Sequence, residues 1–550
     1  MTPRVDVLVV GAGLGGIAAA LSAAETGAKV MLTEQWPSIG GQLTTQLVPC
    51  PDEHPLIESV GRTRRYAQLR DAIRAHYGGA SNPGNGWVSR LCHEPRVAEH
   101  ALLGMLRSHL DAGRIELHTG WEPAAATTVD GVIDSVTLVH ARGSQHRVQA
   151  RVVVDATETG DLLALAGVPW VVGSEGFDAH HEPGAVPGGP DPLAEQACTW
   201  VVALEWGEEF LAVERPPPGY AGWRDRQPFT LSLTGHDGVD QPYRMFDRGP
   251  AGAKPFWTYR RIRDASRGRG PDVVTINWAS NDYAEAGLIA APRRAHRQAR
   301  QLTAAFVHWL RTEVPRQDGG RGYPNLRPAT QVTGTADGMA LAPYVRESRR
   351  VLTDEPMTVH DLLAADGSAR ARLWPDSVAL GWYWADVHRR VGRCAGGHPD
   401  GAFIETAPFQ IPARALVAGP NLLAGAKNIA VTQMAASATR VHPAEWAIGE
   451  AAGTIAALAA TRRRTVASLL DDEVALARVQ WILARSGAPV FWATDLDDGC
   501  DVAAAAQVLA IRAELVGQRR LSLELDIEKP CDATQRHTLA AALRSCGVPC

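Results

Sequence analysis

Residues 5–35, VDVLVVGAGLGGIAAALSAAETGAKVMLTEQ, constrain this chain more than any other stretch. Val5, Val7, Leu8, Val9 and Val10 read as a strand buried on both faces of a parallel sheet. Gly11 then permits a sharp turn, Gly13 lets backbone approach a pyrophosphate, and Gly16 lets a helix pack close to the strand. That helix, Leu14 to Thr26, aims free N–H groups and its positive dipole end at the phosphates. Lys29 to Thr33 reads as the second strand. Glu34 follows where a carboxylate accepts hydrogen bonds from a ribose diol, with Gln35 beside it. Strand, glycines, helix, second strand and acid together specify a dinucleotide site, which a lone glycine motif does not.

The next loop favours FAD over NAD. Gly40, Gly41, Gln42, Leu43, Thr44, Thr45 and Gln46 form a second flexible, hydrogen-bonding segment beyond the ribose acid. A flavin must be followed along its ribityl chain to the ring, and a nicotinamide enzyme has no particular need of such a loop. Near the other end, residues 421–460 read as a strand, a loop and a small-residue helix starting near Pro443, a favoured first helical residue. Val152 to Thr157 is another buried strand ending in small residues, which places Ala156 and Thr157 against the cofactor.

Composition narrows the rest. The chain has 550 residues, 45% hydrophobic and 21% charged, enough for two or three domains with ordinary cores. A net charge of −5 gives no electrostatic reason for a nucleic-acid partner. No apolar run reaches the roughly twenty residues needed to span a bilayer, and the first strand begins within five residues of Met1, so a cytoplasmic protein without a leader is expected. The eight cysteines (50, 92, 198, 394, 500, 531, 546, 550) contain no CxxC pair, so free thiols and no metal site are expected. Abundant Ala, Arg and Pro point to a GC-rich bacterial genome, a context in which secondary metabolism fits.

The expected fold class is α/β: a Rossmann-type FAD-binding domain, an inserted β-rich substrate domain and a helical C-terminal region. The boundaries read as 1–165 and 405–464 for the cofactor domain, 166–404 for the insert and 465–550 for the last region. Residues 51–100 read as loop-rich. Ala98 to Ala112 reads as a helix, Arg114 to Thr119 as a strand, and Asp130 to Val139 with His146 to Val154 as paired strands.

Several segments, in order, resemble a known family: GGQLTTQ, PDEHPLIE, NPGNGWVSRLCHEPRV, DATETGDLLALAGVPWVVGSE, NWASNDY, APYVRESRR, FQIPARAL and RVHPAEWAIGEAAG. Together they are similar to the bacterial FAD-dependent oxidoreductases of the glutathione-reductase-like flavoprotein superfamily, in a largely uncharacterised branch, over nearly the whole chain. The resemblance implies bound FAD and a substrate domain over the flavin. It places Gly11, Gly13, Gly16 and Glu34 at the pyrophosphate and ribose, and Gly41, Gln42 and Leu43 beside the ribityl chain and ring. It sets Arg440, Val441 and His442 before a last helix that faces the flavin pyrimidine. At LLAGAKN the family more often reads Ala-Gly-Lys, so Gly425 and Ala426 stand swapped, which bears on the roles of Ala426 and Lys427.

A flavin carries its own redox chemistry, so the protein supplies an acid or base and orienting groups. His442, at the start of the last helix, is the first candidate base, with contact to the cofactor alone as the other reading. Arg440 is a candidate partner for a substrate carboxylate or for reduced flavin. His54 is a second candidate base or a surface loop residue. Cys50, His54 and Cys92 are the possible covalent tethers. Adjacent Cys92 and His93 point apart in an extended segment and read as structural. Asn281-Asp282-Tyr283, Arg346-Glu347 and Asp386/His388 read first as turns or ion pairs, and Trp382-Tyr383-Trp384 as packing or pocket lining. The expected activity is dehydrogenase or oxidase chemistry on a small molecule, hydride passing to flavin N5. A flavin monooxygenase or halogenase is the first alternative, and a binding module with structural FAD the second.

Overall fold

In a computed structural model the described residues are 4–209, 215–234, 239–364, 367–393, 401–496, 501–511 and 523–525. Cys394, Cys500, Cys531, Cys546 and Cys550, and most of the expected C-terminal region past 511, lie outside them.

The first turn of chain is the expected unit. Strand β1 (Arg4–Val10) leads into helix α1 (Leu14–Glu25) and strand β2 (Val30–Glu34). Strands β3 (Ile115–Thr119), β4 (Trp121–Val129), β5 (Val132–His140) and β6 (Gln145–Asp155) complete one sheet in the order β3-β2-β1-β6-β5-β4, and the strand Leu422–Ala424 adds onto β6. β6 changes partners along its length. Residues 145–148 pair antiparallel with β5, while 149–155 pair parallel with β1 and, at the end, with Leu422–Ala424. The parallel part is therefore buried and rich in Val and Leu, and the β4-β5 hairpin projects from it with one face wet.

A 21-residue closing helix, His442–Arg462, lies along α1. Its Gly449 and Gly453 make that approach possible: a Cβ on either would stand 2.0 and 2.1 Å from the carbonyl oxygens of Gly15 and Ala19. Ser22 and Thr454 hydroxyls bond across the same contact at 2.7 Å. Nearly every residue of this helix is buried, so its sequence shows no amphipathic stripe, as expected for a helix enclosed on all sides.

A second hydrophobic cluster is aromatic. A four-stranded antiparallel sheet, in the order 261–263, 273–276, 202–206 and 326–328, packs under the 21-residue helix Pro292–Thr312. Trp200, Trp223, Trp257, Trp278, Phe306 and Trp309 fill the space between. Residues 351–404, read from sequence as part of the insert, send Met357, Val359, Ala379 and Val387 into the first cluster. The segment 166–404 thus contributes to both cores.

The 51–100 stretch holds a helix that the loop reading missed, Arg64–His76, and a second helix runs Pro95–Asp111. In the first, Arg65 and Arg70 occupy core-facing positions because carboxylates meet them: buried Glu450 and exposed Glu25 for Arg65, buried Glu53 for Arg70. Charged residues on the inner face hid the periodicity.

Candidate active site

The carboxyl ends of β1, β2, β6 and Leu422–Ala424 converge on one edge of the sheet, where open α/β sheets bind ligands. Gly11 has a φ of +100°, a left-handed conformation that favours glycine, and a Cβ at Gly16 would sit 1.8 Å from the Gly11 carbonyl oxygen. Glu34 closes the loop. Its two oxygens accept the N–H groups of Ala12 (2.8 Å) and Trp36 (3.1 Å). Burial pushes its pKa up to about 7 against the pull of those donors. Gln35 beside it is exposed.

A carboxylate already stands over the glycine turn. Glu158 Oε1 lies 2.8 Å from where a Gly13 Cβ would be and 2.6 Å from that of Gly41, at the N-terminal end of α1. Lys427, buried, pairs with Glu158 and, at 3.0 Å, with Glu445 of the closing helix. Both carboxylates hold the Lys427 ammonium well above its usual range against the cost of burial. Glu445 also accepts the Gly15 N–H at 3.3 Å. Gly425 is required locally, since its Cβ would meet Val154 Cγ1 at 2.4 Å, and Ala426 follows in a turn held by Asn428 at 3.2 Å. The swapped order fits this packing.

These residues fit FAD. The turn holds an anion between a helix N-terminus and a lysine, as a pyrophosphate requires. Buried polar atoms without partners, Glu158 Oε1, Gln42 Oε1, Gln46 Nε2 and Arg440 Nε, continue from that turn toward the closing helix. Gly41 and Leu43 flank Gln42, whose Nε2 donates to the Arg440 carbonyl at 3.0 Å. Ala156 donates its N–H to Val10, and Thr157 bonds Asp155 at 2.7 Å, placing both at the same edge.

At the far end of this path the structure assembles residues that are distant in sequence. Arg346 meets Asp282 at 3.1 Å, Asp282 meets His388 Nδ1 at 2.7 Å, and His388 Nε2 meets Asp386 at 3.3 Å. Arg440 then reaches Asp386 at 3.9 Å and donates to the Tyr344 hydroxyl at 2.8 Å. Charges alternate along the whole row. Burial opposes the ionised form of both aspartates, yet His388 and the arginines hold them below the usual carboxylate range. Burial and Arg346 disfavour the His388 proton, and the two aspartates overcome them, so its pKa is raised. Asp386 and His388 keep 31% and 28% side-chain exposure, which leaves the row open to solvent at that point.

The other sequence candidates fall differently. Val441 caps the closing helix and His442 begins it. His442 Nδ1 accepts the Asp52 N–H at 3.1 Å and Nε2 donates to the Val48 carbonyl at 3.3 Å. Burial takes its pKa down to about 4. Both nitrogens meet backbone, so His442 pins the 48–52 loop to the helix and presents no free ring nitrogen to a substrate in this structure. His54 is buried rather than a surface loop residue, packed between Trp382 (5.9 Å) and Trp492 (5.1 Å), and burial lowers its pKa to about 3. Cys50 and Cys92 are buried, and burial followed by Cys92 itself pushes the Cys50 thiol up, which disfavours the thiolate a tether needs. His93 bonds the Glu94 carbonyl at 3.0 Å. Asn281 caps its own turn through the Trp278 N–H. Glu347 pairs with buried Arg350 at 2.6 Å. Glu158, Glu445, Asp52, Tyr259 and Arg260 were not singled out in sequence. Arg260 sits in TYRRIRD, where Arg261 and Arg263 make part-buried ion pairs that mask it.

No metal-holding group of three or more His, Cys, Asp or Glu occurs among the described residues, and no helix among them is long and apolar enough to cross a membrane. No curated protein matches the sequence. Among solved structures, the chain is similar to the myxobacterial chondrochloren halogenase CndH, at 12% identity and TM-score 0.33, over 99% of this chain and 90% of that one. It is similar to the OxyS anhydrotetracycline hydroxylase from Streptomyces rimosus at 12% and 0.32, over 99% and 74%. It is similar to AlpK at 17% and 0.24, over 43% of this chain and 42% of AlpK's own length. The family model described as FAD dependent oxidoreductase matches residues 6–483, and the chain belongs to that family of FAD-binding enzymes.

Proposed function

We propose that this oxidoreductase acts as a dehydrogenase or oxidase on a small molecule, with the His388–Asp386 pair taking the substrate proton. Bound FAD supplies the two-electron acceptor at its N5. The observation that carries the reading is the alternating row Arg346–Asp282–His388–Asp386–Arg440, which ends beside the carbonyl that Gln42 grips. Asp282 fixes the ring through Nδ1, and Nε2 faces the partly exposed Asp386 at 3.3 Å, so the proton would be taken by the pair, with Asp386 the partner that gives way or relays it. Arg440 keeps positive charge at the positive end of the closing helix, which favours any developing anion there. Gly11, Gly13, Gly16, Glu34, Gly41, Gln42 and Lys427 hold the cofactor in this reading, and 166–404 carries the substrate-side surface.

Anaerobic mixing of the holoprotein with candidate metabolites, followed by flavin absorbance, tests this. Bleaching by substrate alone supports a dehydrogenase or oxidase. Bleaching only after NAD(P)H or a reductase is added supports a monooxygenase or halogenase instead. A flavin reduced by neither supports a structural role for FAD.

A further inference from the structure

Arg260 is a buried cation with no ion pair among the described residues. It is 9% exposed, its Nε and Nη1 have no hydrogen-bond partner, and no carboxylate lies within ion-pair distance of it among the described residues. A guanidinium taken from water in this way is costly unless something completes its pairing. It leaves the edge of the second sheet beside Tyr259, whose ring lies 5.1 Å from it, and its carbonyl is held by Thr275. Arg440, 2% exposed, approaches from the first core and also has an unpartnered Nε. The two guanidinium groups share neighbours, since the Asp52 carboxylate and the Tyr344 hydroxyl stand near both.

We propose that Arg260 and Arg440 together hold the carboxylate of the substrate, and that the substrate is a small carboxylic acid with a flat body lying against Tyr259 and Tyr383. This deepens the oxidoreductase reading and rests on it. Two forked donors arriving from different cores match the two oxygens of a carboxylate, which a neutral amide cannot replace. The charges agree. Arg346 and Arg440 face Asp282 and Asp386 in ion pairs, which leaves Arg260 as the cation with no carboxylate within ion-pair distance among the described residues. Half-buried Tyr259 and Tyr383 offer amphipathic ring surface beside these cations. Sites built to pair a buried charge reject analogues that lack it.

The test is calorimetric binding to oxidised holoprotein of benzoate against benzamide and phenylacetate against phenylacetamide. The acids are expected to bind at least about tenfold more tightly than the amides. Arg260→Gln is expected to abolish that preference with FAD content unchanged, and Arg260→Lys to retain part of it. Equal binding of acid and amide, full affinity in Arg260→Gln, or displacement of benzoate by equimolar bromide overturns the proposal. Should Arg260→Gln fail to fold, the acid–amide comparison in the unaltered protein and Arg260→Lys decide. Binding is read without turnover, so a flavin that no substrate reduces defeats the dehydrogenase reading and leaves this result standing.

Discussion

His388 Nε2 lies 3.3 Å from Asp386 Oδ2, and that aspartate keeps nearly a third of its exposure while Asp282, on the other ring nitrogen, keeps almost none. One carboxylate is therefore a fixed support and the other faces the solvent-accessible side. Because the raised His388 pKa lies above 6.5 and a base acts unprotonated, the rate of anaerobic flavin reduction should climb with pH through that raised value. His388→Gln should lower the rate about a hundredfold or more. Asp386→Asn removes a charge that favours the proton, so the rising limb should move to lower pH. Stopped-flow reduction across pH 5–10 measures both, and an unmoved limb excludes the pair as the proton acceptor.

Glu158 occupies the glycine turn, so cofactor and carboxylate compete for one place. Glu158→Gln should tighten FAD several-fold by removing a like charge beside the pyrophosphate, whereas Lys427→Met should weaken it. Titration of apoprotein with FAD, followed by flavin fluorescence, gives both constants. Looser binding in Glu158→Gln would mean that the carboxylate supports the bound state.

Glu34 binds its proton more tightly in the folded chain, about pKa 7 against 4.5 unperturbed. Its favourable contribution is full below 4.5 and fades as pH rises to 7, a change of about 3 kcal/mol. Glu34→Gln apoprotein should therefore gain stability over the parent between pH 5 and 7.5 in denaturant titrations. Ribose hydroxyls donating to Glu34 favour its ionised form, so FAD uptake at pH 6 should release protons, seen as a buffer-dependent binding heat. The same variant should retain FAD less well.

Gly449→Ala would ordinarily strengthen a helix by up to about 1 kcal/mol. Here the added methyl meets backbone at 2.0 Å, so a net loss of about 1–3 kcal/mol is expected, with reduced FAD retention. Thermal melting and flavin content test this, and a stabilised variant would show that the two helices slide apart easily.

The cofactor half was legible because its signals are local. Gly11, Gly13, Gly16 and Glu34 fall within one βαβ unit whose spacing is set by a turn and a helix. The opposite end was legible only in pieces. Asp282, Arg346, Asp386, His388 and Arg440 were each visible as polar residues, but nothing in their separations says that they form one row. Tertiary folding decides that, and it turned ion pairs into a candidate site. His442 shows the reverse case. Its position before Pro443 was correct, yet its role depended on the Val48 and Asp52 backbone, which no spacing reveals. Arg260 was hidden among neighbouring arginines, and its distinction, a missing partner, exists only in three dimensions.

The Gly15 amide and the Glu445 carboxylate that receives it are separated by 430 residues. During synthesis the N-terminal unit must wait for almost the whole chain before α1 gains its mate, with the alanine-rich flank of that helix bare meanwhile. Such late closure makes assembly slow and exposes nascent chains to self-association. It also makes the enzyme all-or-none: a chain cut short before the closing helix loses at one stroke the wall of its cofactor pocket, Lys427's second counter-ion and the anchor of the 48–52 loop.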